Sequence, residues 1–171
     1  MDTDLRYPIG EFDEANWPDR EQNIAVIAAL PEELRKAVSG LDDEMLDTPY
    51  REGGWTLRQT FHHMADSHIN AYCRFRLALT ETEPEIRPYD EKLWAELPDS
   101  SLPVEVSLNI LDGVHARWAA MLAAMSDADL ARRFVHPESG LWTIERSLAM
   151  YAWHSRHHTA HITVTRQRYG W

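Results

Sequence analysis

Apolar residues recur along this 171-residue chain at spacings of three and four, the period of an amphipathic helix face. The clearest run is Leu57, Phe61, Met64, His68, Tyr72, Phe75 and Leu79, a bundle-style seam in a helix predicted over Thr56–Thr80. A second series, Val106, Ile110, Val114, Trp118, Met121 and Met125, marks the inward side of a helix over Val104–Met125. Two further helices are predicted. One covers Asp19–Ser39, closes at Gly40 and should be kinked or split by Pro31; the other covers Thr143–Arg168. Glu83 to Ser101 holds Pro84, Pro88 and Pro98 and room for a short helix at Asp90–Leu97. Residues 1–17 read as an extended arm containing Pro8 and Gly10. No window alternates with period 2, and no repeat or long linker divides the chain. The pattern predicts an all-α fold: a four-helix bundle with a long connection between helices 2 and 3, as one domain over residues 1–171.

Charge and composition narrow the class of function. Lys and Arg number 17 against 28 Asp and Glu, giving a net charge of −11 and no basic footprint for nucleic acid or an anionic membrane. Hydrophobic residues make up 44%, enough for a core that needs no disulfide. The single cysteine, Cys73, excludes a disulfide framework or a multi-cysteine zinc site and suits a reducing cytoplasm; its mid-helix place predicts a buried structural thiol. The longest apolar run, Ile24 to Leu30, falls far short of the ~20 residues that span a bilayer. The acidic N-terminus lacks the charged and apolar regions of a signal peptide, so a cytoplasmic location is expected.

Histidine is the unusual component: seven of the nine fall within Phe61–His68 and His154–His161. Residues four apart stack on one face of a helix, so the pairs His157/His161 and His154/His158 could each chelate one ion. On a helical wheel His157 and His161 lie near Met150, Trp153 and Val164, an apolar strip expected to face inward. His154 and His158 lie toward Tyr151 and Thr165. A catalytic site wants a third ligand from the first window, and the wheel does not choose among His62, His63 and His68. His115 and His136 read as structural. Trp94, Trp118 and Trp142 read as packing residues; Trp55 anchors a helix start and Trp153 could wall a pocket. HxxxH without the glutamate of a zincin motif is weak on its own, and no phosphate loop, nucleophile elbow or dinucleotide fingerprint is present.

Taken together, several motifs resemble the DinB/YfiT-like family, in its branch of metal-dependent hydrolases. They are Tyr7-Pro8-Ile9-Gly10-Glu11-Phe12, Gly53-Gly54-Trp55-Thr56 leading into His62-His63-Met64-Ala65-Asp66-Ser67-His68, Arg87-Pro88-Tyr89-Asp90-Glu91-Lys92, His115-Ala116-Arg117-Trp118, and Trp153-His154 through His157-His158-Thr159-Ala160-His161-Ile162. The resemblance implies a four-helix bundle holding one divalent ion, zinc or nickel, on three histidines. By its motif positions these are His63, eight residues after Trp55, with His157 and His161. Arg156 stands where relatives often carry histidine, which should alter the rim of the site. Under this assignment the polar strip of Gln59, Asp66 and Asn70 becomes a candidate cavity wall.

Three neutral ligands leave such an ion its full charge, able to acidify a water or a thiol. The resemblance therefore implies a hydrolase of small substrates. A metal-dependent thiol S-transferase using a low-molecular-weight thiol of the bacillithiol or mycothiol kind is the alternative, and a non-enzymatic, stress-responsive metal-binding protein is a third. Asp66, one turn from His63, is the candidate general base, with a supporting or capping role as its competitor. The expected partners are a small-molecule substrate and, as in relatives, a second copy of the chain in a homodimer; neither nucleic acid nor membrane is expected. His62, His68, His154 and His158 are left without a definite role.

Overall fold

The computed structural model describes residues 4–16 and 19–171. In chain order the elements are α1 (Arg20–Val38), α2 (Asp43–Leu46), α3 (Leu57–Thr80), α4 (Glu91–Ala95), α5 (Val104–Ala123), α6 (Asp127–Leu130), β1 (Arg133–His136), β2 (Gly140–Thr143) and α7 (Ile144–Tyr169). Local chemistry sets the ends of the long helices. Asp19 accepts from the Gln22 N–H at the start of α1, and Thr143 accepts from the Arg146 N–H at the start of α7. Thr56 and Gln59 close a reciprocal capping box on α3. Gly170 ends α7 in the left-handed conformation, φ 73°.

The four long helices form the bundle. α1 packs on α5 and α7, and α3 packs on the same two, so these contacts alternate around the barrel of helices rather than following chain order. α1 runs unbroken through a buried Pro31, contrary to the expected split. Two apolar clusters fill the interior. One holds Ile27, Phe75, Trp118, Leu122, Leu148 and Tyr151; the other holds Leu34, Leu57, Phe61, Met64, Leu111 and Ile162. Along α3 and α5, His68 and His115 fall between the two clusters and are themselves fully buried.

Several expectations need correction. The 133–143 segment is an antiparallel hairpin, with Phe134 opposite Trp142 and Val135 opposite Leu141. Its four-residue strands are too short to show an alternating pattern, and the turn between them ends at Gly140 with φ 79°. A parallel bridge from Glu85 to Val135 ties the long connection to it. On α5 the buried positions are Ser107, Leu108, Leu111, His115, Trp118 and Leu122, while Val106 and Ile110 are exposed. Trp94 is exposed against Tyr89, and Cys73 is exposed.

Residues 4–16 are a string of turns laid along α7 rather than an extended arm. The Trp153 indole N–H donates to the Gly10 carbonyl at 3.2 Å, Phe12 packs on Trp153, and Glu14 pairs with Arg146. At the opposite end of α3, the buried Arg58 guanidinium clamps Asp43 and Asp47, which fixes the loop that carries Tyr50 to Trp55. No described helix is long and apolar enough to cross a membrane.

Candidate metal centre

The histidine windows meet where the middle of α3 faces the middle of α7. His63, His154 and His158 each bring a ring nitrogen within 4.8 Å of the others, a set drawn from two helices. His63 packs on Trp55 at 4.7 Å and faces His158 edge-on at 5.0 Å and His154 at 5.5 Å between ring centroids. A second set, His157, His158 and His161, lies along α7 and shares His158 with the first. Here His157 stacks on Trp153 at 4.3 Å, and Tyr50 stacks on His161 at 4.1 Å.

The first set opens into a cleft of about 360 Å³, whereas His157 and His161 are absent from its lining. Trp55, Tyr89, Met150 and Tyr151 make its aromatic and apolar walls, and Ser67 supplies a hydroxyl. Arg74 is its cation; Glu91, Glu138 and His136 are its proton acceptors. The hairpin delivers His136 and Glu138, so the segment that the sequence pattern left as a break builds one side of the cleft. A larger groove of about 540 Å³, between α1 and α7, is lined by Ala25, Ala29, Glu33, Arg156, Thr159 and Ala160 and holds no histidine.

Burial sets the protonation of these groups. It lowers the His63 imidazole to about 4, and it holds His154 and His158 well below the ordinary histidine value. All three rings are therefore neutral at pH 7, with a lone pair free on each. Burial raises both Tyr89 and Tyr151, keeping their hydroxyls protonated as donors. Asp66 is raised to about 6 by burial and by the charge of Asp99.

The structure brings together only part of the expected ligand set. His63 is buried, as a ligand should be, and His157 and His161 are near one another, but they fall in separate sets, with His63 joined to His154 and His158. The buried face of α7 carries His157, His158 and His161 beside Leu148, Tyr151, Ser155, Ile162 and Thr165, whereas His154, Met150, Trp153 and Val164 are half-buried. The wheel counted apolar side chains, and the inward face here is partly hydroxyl and imidazole.

Asp66, Gln59 and Asn70 are not among the residues lining the cleft. Gln59 bonds the Ala95 carbonyl and Asn70 bonds the Asp66 carbonyl, so this strip holds backbone together. His62 is satisfied by the Ser107 hydroxyl at 2.7 Å and the Leu102 carbonyl at 2.9 Å. His68 and His115 form a buried pair at 2.9 Å. The sequence reading did not anticipate Arg74, Glu138 or His136 in the cleft; lone charged residues on separate elements carry no spacing signal.

The donor set fits a metal. Three neutral imidazoles from two helices, beside a water-accessible cleft, suit zinc, nickel and similar borderline ions. Fold and site together define a helical bundle with a histidine-lined interior centre. The sequence profile of the DinB superfamily matches residues 26–162, and the chain belongs to that superfamily. A relative from Bacillus mycoides (strain KBAB4) is 53% identical over 171 residues, covering 98% of this chain and 99% of its own, and its name assigns it provisionally to the metal-dependent hydrolases. A Bacillus cereus (strain B4264) relative named in the same way is 54% identical over 172 residues, with coverage of 98% and 99%. Among solved structures, YfiT from Bacillus subtilis superposes with a TM-score of 0.93 at 47% identity and 98% coverage of both chains; it is described as an unusual four-helix bundle and, provisionally, a metal-dependent hydrolase. The four-helix bundle protein TT2238 shares the fold, with a TM-score of 0.59 at 22% identity over 82% of this chain and 95% of its own.

Proposed function

We propose that this protein is a metal-dependent hydrolase of a small substrate, with one zinc or nickel ion held by His63, His157 and His161. The observation that carries this reading is the burial of those three neutral rings where α3 meets α7, with His157 Nδ1 left without a hydrogen-bond partner, beside a cleft that holds donors, acceptors and a cation. A divalent ion on neutral ligands supplies a Lewis acid that brings the pKa of water toward 7. The chain supplies the rest. Trp55 and Met150 shield the floor from bulk water, and the protonated Tyr89 and Tyr151 hydroxyls offer hydrogen bonds to a substrate carbonyl oxygen. Arg74 attracts an anionic substrate group, and Glu91, Glu138 or His136 takes up the proton lost by the attacking water.

Metal analysis of protein purified without a histidine tag, with turnover of a panel of esters and amides, tests this reading. One equivalent of ion and a metal-dependent activity are expected. Both should be lost in His63→Ala, His157→Ala and His161→Ala and kept in His154→Ala. Metal content retained in His157→Ala but lost in His154→Ala would move the centre to His63, His154 and His158. Stoichiometric metal without hydrolysis, but with metal-dependent conjugation of a thiol to an electrophile, would replace hydrolysis by thiol transfer.

A further inference from the structure

His63, Ser67 and Arg74 stand at i, i+4 and i+11 on α3, a spacing that returns to one face of the helix, and all three line the cleft. The cleft is therefore a trough along α3. It starts at His63 and runs about three turns, roughly 16 Å of helix axis, to Arg74. Met150 and Tyr151 of α7 form the opposite wall, and Tyr89 of the long connection closes it. Its volume of about 360 Å³ is near the lower end for ligand pockets, about 300–1,000 Å³, so its occupant is a small molecule.

Arg74 is the full positive charge of this lining at pH 7. His136 beside it is lowered by burial and then by the Arg74 charge, and is neutral. Arg74 is half-buried, yet none of the ion pairs among the described residues includes it, although Glu91 and Glu138 share the lining. One Nη2 donor reaches the Arg87 carbonyl at 3.5 Å, and the guanidinium faces the Tyr151 hydroxyl. A guanidinium has five N–H donors, so these two neighbours leave most of the fork for a ligand. The fork matches a carboxylate, which accepts two parallel hydrogen bonds from it. A phosphate dianion fits worse. Glu91 and Glu138 would repel its second charge, and the described lining offers neither a glycine nor a second Arg or Lys to cradle it.

We propose that Arg74 is a specificity-determining residue that binds the carboxylate of a substrate whose reacting group sits at the His63 end of the trough. The Tyr151 hydroxyl beside it is the second donor. The substrate class is an ester or amide in which a chain of several methylenes separates the carboxylate from the bond that is cut. Amino-acid esters, with the two groups one carbon apart, are too short to span the trough. This inference rests on the metal-dependent hydrolysis proposed above.

Two measurements test it. In the first, hexanoate, hexanamide and hexyl phosphate are titrated by calorimetry into zinc-loaded and metal-free protein. Hexanoate is expected to bind both forms about 10- to 100-fold more tightly than hexanamide, the worth of a hydrogen-bonded charge, and more tightly than hexyl phosphate. Arg74→Met, once shown to fold by its thermal melt, should lose that preference, and Arg74→Lys should keep part of it. Equal binding of hexanoate and hexanamide would overturn the proposal, as would a preference retained in Arg74→Met. A preference seen only with zinc would place the carboxylate on the ion, and tighter binding of the phosphate would change the ligand class; either result also overturns it. In the second, zinc-loaded protein is assayed on monoethyl esters of dicarboxylic acids of rising length, beside the matching ester amides. The carboxylate-to-amide ratio of kcat/KM should rise from the malonate to the adipate ester, chiefly through KM, and the rise should vanish in Arg74→Met. A ratio independent of length would overturn the spanning geometry. Carboxylate binding through Arg74 without turnover of any ester would overturn metal-dependent hydrolysis and leave the carboxylate subsite in place.

Discussion

Pro31 stands four residues after Ile27 and withholds the N–H that would close a helical hydrogen bond onto the Ile27 carbonyl. That carbonyl accepts instead from His115, which reaches it from α5. A proline that the sequence presents as a helix breaker thus leaves α1 intact and frees one acceptor for the buried His68–His115 pair. Pro31→Ala restores the competing N–H. Proline in a helix interior costs about 3 kcal/mol relative to alanine, so the thermal midpoint of the metal-free variant is expected to hold or rise. The gain should nevertheless stay below that figure, since His115 then shares its acceptor. A urea titration in parallel with the melt checks this, and a gain of the full amount would show that the freed carbonyl has no bearing on the buried pair.

The buried imidazoles also set an acid limit on stability. Burial lowers His115 from 6.5 to about 4 and also lowers His62. Between those values the unfolded chain binds a proton at His115 and the folded chain does not, and the lowering of His62 by burial acts in the same direction. Stability therefore falls as the pH falls through that window, by up to about 1.4 kcal/mol per pH unit for each group. Asp66 works in the opposite direction: raised from 3.8 to about 6, it takes up a proton when folded that it lacks when unfolded. One carboxyl opposes these two imidazoles and the other buried ones, His63, His154 and His158 among them, and the net expectation is loss. Urea titrations of metal-free protein should give a clearly lower midpoint at pH 5 than at pH 7.5; equal midpoints would contradict the neutral, buried state of these rings.

How much of this was legible in the sequence depended on whether one face of each helix was distinct. On α3, Leu57, Phe61, Met64, His68 and Phe75 form a single apolar seam, and all five are buried. On α5, Val104, Val106, Leu108, Ile110, Leu111 and Val114 put apolar groups on more than one side, so spacing alone fits two strips; Trp118 and Met125 of the expected strip are buried, while Val106 and Ile110 are exposed. On α7 the buried stripe includes Ser155, His158 and Thr165, residues that a search for apolar groups assigns to the outside. The tertiary hydrogen bonds that satisfy them, such as His158 to His161 and Thr165 to the His161 carbonyl, have no signature in a one-dimensional pattern. The same applies to the cleft, whose hairpin wall rests on strands of four residues.

The phase of α5 gives a direct mutational contrast. Leu111 is 0% exposed within the apolar cluster of Leu34, Phe61 and Met64, and Ile110, its neighbour in sequence, is 39% exposed. Leu111→Ala removes buried methyl groups and leaves a cavity, a loss of about 2–5 kcal/mol. Ile110→Ala should change stability by no more than about 1 kcal/mol, because the side chain is already in water for much of its surface. Chemical denaturation of the two variants separates the two phases of the helix. A larger loss for Ile110→Ala would restore the strip of Val106, Ile110 and Val114 as the inward one.

Two adjacent glycines before Trp55 should respond differently to the same substitution. Gly53 has φ 64° and open space where a Cβ would stand, so Gly53→Ala meets only the left-handed backbone penalty, about 1–2 kcal/mol. A Cβ at Gly54 would lie 2.8 Å from Arg51 Cγ and 3.1 Å from the Tyr50 ring. Tyr50 is the ring stacked on His161, one of the three proposed ligands. Gly54→Ala is therefore expected to displace Tyr50 and lower zinc affinity, whereas Gly53→Ala lowers the thermal midpoint and leaves zinc affinity at the wild-type value. Measuring both quantities on both variants distinguishes a loss of fold from a loss of ligand alignment. If the two variants lose zinc in proportion to their stability, Tyr50 is a bystander to the centre.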